Sequence, residues 1–275
     1  MKLEHLERAF ESIGARLQVE VVEPVRNWDG AILRIGYSLD IGHDRHGQFF
    51  SVRGDEQSLA EAEFSLLNKQ KDNRHLLLLV KNEAESRKDR FLCGHDEREW
   101  FVAAVPGTAS TVVQAKEALK PAPVRQAQAR KGLNARQANT RHNAAFRRQG
   151  EWFFLPVETP LAVDPKLILR NEPLSRGGGS KPHYVEQLYR TGGEVVYVNR
   201  QHPRGITQDQ YDKLIRRDRS AKKLIWHQMR RNPGVFARGA VRHPDHATIT
   251  LHDWCQVLMN EENKAHGRKN LAFLD

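Results

Sequence analysis

The chain has little cysteine. Two residues, Cys93 and Cys255, occur among 275, and neither belongs to a CxxC pair, so no disulfide framework is expected. That usage implies a reducing, cytoplasmic setting. Long apolar runs are also missing. Leu76–Val80 (LLLLV) falls far short of the roughly 18 residues needed to span a membrane; it reads as a buried strand, and no membrane partner is expected. The opening MKLEHLERAFESIG is charged and amphipathic, unlike a secretory signal. Acidic residues are absent from one long stretch, 120–150, which also has a single aromatic residue, Phe146.

What is present is basic charge. Lys and Arg total 44 against 34 Asp and Glu, a formal net charge of +10. Such an excess informs partners rather than fold. Eleven Phe and five Trp supply enough apolar area to oppose disorder.

The pattern along the chain predicts an α+β fold: two small mixed units of antiparallel strands with packed helices, joined by a basic segment of helix-favouring composition. The boundaries are 1–119, 120–150 and 151–275. In the first unit, Leu3, Leu6, Phe10 and Ile13 have helical spacing. Strands are expected at 17–22, 31–39, 48–52, 75–80 and 101–105, with a turn at Asn27-Trp28-Asp29-Gly30. A short helix or crossover falls at 58–69, and a helix at 108–119 capped by Thr108 or Ser110. In the second unit, strands are expected at 152–157, 166–169 and 194–199. A helix spans 207–229, with Thr207 and Gln210 forming a capping box. A hairpin follows at 235–251, a final helix at 254–263, and a polar tail that turns apolar at Leu271 to Leu274. Gly42-His43-Asp44 recurs 52 residues later as Gly94-His95-Asp96, and Phe49, Phe101 and Phe153 share that interval, so either a duplicated turn-plus-strand unit or chance produced it.

The stretch 120–150 carries Lys120, Arg125, Arg130, Lys131, Arg136, Arg141, Arg147 and Arg148. Cations that neutralise phosphates release counterions, and the guanidinium fork suits bidentate phosphate contact. Arg125, Arg136 and Arg147 lie 11 residues apart, as do Arg130 and Arg141, so a helix here would show basic stripes. A second basic segment holds Lys213, Arg216, Arg217, Arg219, Lys222, Lys223, Arg230 and Arg231 against Asp218 alone. The loop Ser175–His183 (SRGGGSKPH) precedes an expected helix start near Tyr184. Its amides, with Arg176 and Lys181, suit a phosphate, although it has no P-loop order.

Two clusters carry candidate chemistry. The segment 241–255 (VRHPDHATITLHDWC) contains His243, Asp245, His246 and Cys255, which are metal-ligand and acid–base types, without the spacing of a strong motif. Cys93, His95 and Asp96 form the second, read either as ligands, as a nucleophilic pair or as an ordinary turn. One arrangement brings Cys93, His95, His243, His246 and Cys255 around a divalent metal ion. The leading expectation is a nucleic-acid-binding protein in which the two basic segments form one positive surface, RNA and DNA being undistinguished. The alternatives are a metal-dependent nuclease or other phosphoester hydrolase using His243, Asp245, His246, His95 and Asp96, and a scaffold for an acidic protein partner.

Overall fold

The structure, a computed structural model, describes residues 3–23, 25–26, 32–33, 36–82, 86–176 and 181–264. The turn expected at Asn27-Trp28-Asp29-Gly30, the glycines 177–179 and the apolar residues 271–274 lie outside the described residues. The chain forms two compact units. One comprises the residues up to Ala144 together with those from Met259, and the other is Ala145–Leu258.

In the first unit, strands Ala62–Gln70, His75–Asn82, Arg87–Asp96 and Glu99–Ala104 form an antiparallel sheet in sequence order. The leucine run sits in its centre. Leu76, Leu78 and Val80 enter one core with Leu6, Phe10, Phe50 and Cys93. Leu77 enters another, with Leu92, Val112, Ala115 and Leu119. Side chains alternate across a strand, so a sheet covered on both faces needs an unbroken apolar run rather than alternation with polar residues. Helix Leu3–Glu11 covers the first face and helix Val112–Ala118 the second. A smaller sheet has Gly47–Gly54 between Leu17–Val21, which is parallel to it, and Tyr37–Asp44, which is antiparallel.

The interval of 52 residues corresponds to two equivalent hairpins. Gly42 faces Phe49 and Asp44 faces Gly47 in the first; Gly94 faces Phe101 and Asp96 faces Glu99 in the second. The Phe49 ring lies across Gly42, where a Cβ would come within 2.3 Å of it. Phe153 does not continue the register, because it faces Arg148.

The second unit is built on a six-stranded sheet, in the order Arg147–Gln149, Trp152–Pro156, His246–Met259, Gly234–His243, His183–Thr191, Leu169–Leu174. Its core contains Phe154, Val185, Leu188, Ala237, Val241, Leu251 and Cys255. A three-stranded sheet orders Ile206–Thr207, Glu194–Val198 and His227–Arg231, beside helix Gln208–Arg217.

The α+β expectation with packed helices is overturned: strands make up 48% of the chain and helix 22%, so the protein is mainly β. The error lies in particular segments. From Trp254 the chain continues as strand to Met259 instead of becoming helix, because Cys255 pairs with Ala237 and fills the core with Val257. The expected helix near Tyr184 is a strand, with Val185 and Leu188 fully buried. Helix Gln208–Arg217 starts at the Thr207–Gln210 capping box but ends at Asp218, whose side chain accepts from Ser220 N and opens a short 3-10 turn. The helix of 108–119 is capped by Thr111, with Gln114 completing the box. In 58–69, helix is confined to Glu56–Glu61 and strand begins at Ala62. The stretch 166–169 is a 3-10 turn, Pro165–Leu167, leading into strand Leu169–Leu174. The 11-residue stripes do not form: helices Ala122–Arg130 and Ala135–Ala138 are separated at Gly132, which has φ 61°, and Arg147 lies in a strand. Among the described residues, no helix is long and apolar enough to cross a membrane.

Candidate metal centre and basic face

Three strand ends in the second unit bring three histidines together. His183 opens strand His183–Thr191, and Tyr184 pairs with Arg242 on the neighbouring strand, so His183 lies next to His243. His243 closes that neighbouring strand and pairs directly with His246 across the Pro244-Asp245 turn. Opposed residues in antiparallel strands direct their side chains to one face. The rings are accordingly packed: His183 and His243 have centroids 4.2 Å apart, His243 and His246 4.7 Å, and His183 and His246 5.6 Å. One ligand atom from each lies within 4.8 Å of the others, so the group could hold a metal ion.

His183 is 1% exposed. Neither of its ring nitrogens has a hydrogen-bond partner among the described residues. Burial, reinforced by His243 and His246 and opposed by Asp245, lowers its pKa to about 3. His243 is lowered as well, first by burial and then by His246. Imidazole must be deprotonated to bind a metal, so these environments hold the ligating form ready. His243 accepts from the Asp245 amide at Nδ1 (3.1 Å), and its Nε2 lies 3.3 Å from the Lys181 carbonyl oxygen. That pairing places the proton on Nε2.

Gly150 borders the cluster. Its φ is +57°, and a Cβ there would stand 3.1 Å from Nε2 of both His183 and His246. The glycine is fixed by its neighbour Gln149, buried and donating to the carbonyl oxygens of Ala247 (2.6 Å) and Val241 (3.3 Å). Beside His243 is an open depression of about 390 Å³ lined by Asn171, Tyr184, Arg242, His243 and Pro244.

The other expected site residues have different settings. Asp245 is held by Lys181, whose Nζ reaches both carboxylate oxygens at 2.8 Å. Lys181 therefore closes the hairpin turn as an ion pair. Cys255 is a core residue whose thiol burial pushes up to about 11. Cys93 is fully buried in the first unit, and burial raises its thiol well above the ordinary range. A thiolate ligand is thus disfavoured at either cysteine. His95, also in the first unit, packs edge-on against Trp100 at 4.9 Å. Asp96 is ion-paired with Arg141, which also reaches Glu97.

The stretch 120–150 is largely structural. Lys120 is 4% exposed, is paired with Glu117 and donates to the Ala138 carbonyl at 2.8 Å. Arg125 donates to the Lys120 carbonyl and Arg147 to the Thr250 carbonyl. Arg148 and Arg176 are partly buried. Arg130, Lys131 and Arg136 are exposed. The expected single surface formed with the second basic segment is not described, since 120–144 belongs to the first unit and 213–231 to the second.

The second segment is different. Arg231 pairs with Glu194, Arg230 donates to the Gly192 carbonyl at 3.0 Å, and Lys213 pairs with Asp209. Arg216, Arg217, Arg219, Lys222 and Lys223 are all exposed, and none has an ion-pair partner among the described residues. They sit on the end of helix Gln208–Arg217 and the 3-10 turn Arg219–Lys223. In the same module Tyr197 stacks on Tyr211 (4.6 Å) and His202 on Trp226 (5.5 Å), while Ile225 is 79% exposed. Exposed Arg200 and Arg204 belong to the same module.

No family model, curated protein or solved structure matches this chain. Of the metal group, His243 and His246 were legible as candidates. His183 and Gly150 were missed; they lie 60 and 93 residues before His243 in the chain, and no spacing motif connects them.

Proposed function

We propose that this protein binds nucleic acid, gripping the phosphate backbone with Arg216, Arg217, Arg219, Lys222 and Lys223. One observation carries the reading: five cations within eight positions face solvent outside any salt bridge among the described residues, with Asp218 the single carboxylate in the segment. A surface of this kind attracts a phosphodiester chain by counterion release, with no demand on sequence. The adjacent rings pack on one another, two pairs stacked and one edge-on, so they build the module and leave phosphate contact as the main source of affinity. The test is a salt titration of binding to labelled RNA and DNA. Affinity falling steeply with salt supports the reading, and no binding at low salt overturns it.

A second reading is favoured by the histidine group: the protein uses a divalent metal ion, held by His183, His243 and His246. Cleavage scored on the same samples, with and without chelator, tests whether that ion serves a phosphoester hydrolase. Chelator-sensitive product formation supports a hydrolase, and intact substrate under every metal condition excludes one.

A further inference from the structure

His183 is a costly feature of the second unit if imidazole packing is its only role. A neutral imidazole has one N–H and one lone pair. A buried donor or acceptor left unsatisfied is destabilising, and both ring nitrogens of His183 are in that state among the described residues. Stacking against two other histidines supplies no partner for either. A positively charged centre would accept the lone pair of His183 and so relieve one of its two unsatisfied nitrogens.

Gly150 gives an independent indication. A Cβ there would approach two ligand-type nitrogens equally, at 3.1 Å from each Nε2. A side chain at this position would therefore crowd the Nε2 atoms of both rings. Gln149 fixes it there through two backbone carbonyls of the hairpin that carries His243 and His246.

We infer that the three imidazoles form a site for a zinc-class ion, with His183 as its principal ligand and Gly150 as the cradle. This rests on the metal reading above and adds the ion's class, the ranking of its ligands and the requirement for glycine. Three neutral nitrogen donors suit zinc, cobalt or nickel and not magnesium or calcium, which take oxygen ligands. Three protein ligands also leave a fourth position for water or an exogenous donor. His243 is a weaker ligand than His183. Its Nδ1 lone pair is engaged by the Asp245 amide, a bond the ion must displace, while its Nε2–H is directed to the Lys181 carbonyl oxygen. A ligating histidine typically donates its other ring nitrogen in this way.

The test uses the full chain, stripped with chelator and titrated separately with Zn²⁺, Co²⁺ and Mg²⁺. Calorimetry reads affinity and stoichiometry; visible absorption of bound Co²⁺ reads nitrogen coordination. One equivalent of Zn²⁺ should bind, with Mg²⁺ at least about 100-fold weaker. His183→Ala and Gly150→Ala should each weaken Zn²⁺ binding by about 100-fold or more, and His243→Ala by less. Gly150→Asn guards against misfolding, because Asn tolerates the left-handed backbone yet still places a Cβ in the cradle. His252→Ala, exposed on the same strand, should bind as the parent does. No binding of any ion overturns the metal reading and this inference together. Tight Zn²⁺ binding that survives Gly150→Asn or His183→Ala, or that Mg²⁺ matches, overturns this inference and leaves the metal reading intact.

Discussion

Replacing Arg216, Arg217 and Arg219 together by Gln removes three of the five exposed, unpaired cations of 216–223. The consequence can be stated as a slope. If each of the five meets one phosphate, log K falls against log salt with a slope of roughly −3.5 to −4.5, for single strands and duplex respectively. Between 50 and 200 mM salt, binding then weakens roughly 100- to 500-fold. The triple variant keeps two contacts, for a slope of about −1.4 to −1.8 and a loss of about 7- to 12-fold over the same range. Fluorescence anisotropy with labelled single-stranded RNA and duplex DNA, at several salt concentrations, measures both slopes. Melting curves establish that the variant is folded, as expected for substitutions at exposed helix-end positions. Equal slopes for parent and variant would refute the assignment of phosphate contact to this segment.

Arg141→Gln should leave that slope unchanged while lowering stability, since Arg141 already serves Asp96 and Glu97; a reduced slope would return it to the binding surface. Lys120→Ala should destabilise the first unit by about 1–3 kcal/mol in chemical denaturation, because Glu117 and the Ala138 carbonyl lose a charged donor. No loss of stability would show that the buried ammonium is dispensable. Asp44 gives a pH dependence. The Arg16 guanidinium donates to both its oxygens, at 2.8 and 2.9 Å, and holds the carboxyl well below the usual carboxylate range. A depressed folded pKa contributes stability that is complete above the unfolded value, roughly pH 4, and is lost progressively as pH falls from there to the lower folded value. Parent and Asp44→Asn melting temperatures should therefore converge as the solution is acidified from neutral. A gap independent of pH would remove this pair from the acid response.

Local chemistry was legible where it is self-contained. The Thr207–Gln210 box announces a helix start because both partners lie within one turn. The leucine run announces a buried strand because it is continuously apolar and too short for a typical helix. The failures occur where a distant strand decides. Residues 254–263 have spacing compatible with a helix, yet Cys255 and Gln256 find ladder partners in Ala237 and Phe236. Nothing near Tyr184 announces that Leu174 and Arg242 flank its strand. The charge of 120–150 was legible, but its use was not: Arg141's carboxylates lie 45 and 44 residues upstream in the chain. For the metal group the sequence shows the His243–His246 turn, while His183 joins only through strand pairing and Gly150 only through the backbone position that Gln149 sets.

The return of the chain to the first unit at Met259 bears on how the protein is made. Glu262 accepts from the Ala104 amide at 3.2 Å, and the Glu261 amide donates to the Leu119 carbonyl at 2.9 Å. Ala104 and Leu119 leave the ribosome more than a hundred residues before Glu262 and Glu261. During synthesis, the edge of the first sheet at Ala104 and the end of the helix at Leu119 must wait until the whole intervening β unit has been translated. A nascent chain halted at Leu258 would carry that edge unsealed, open to pairing with another strand.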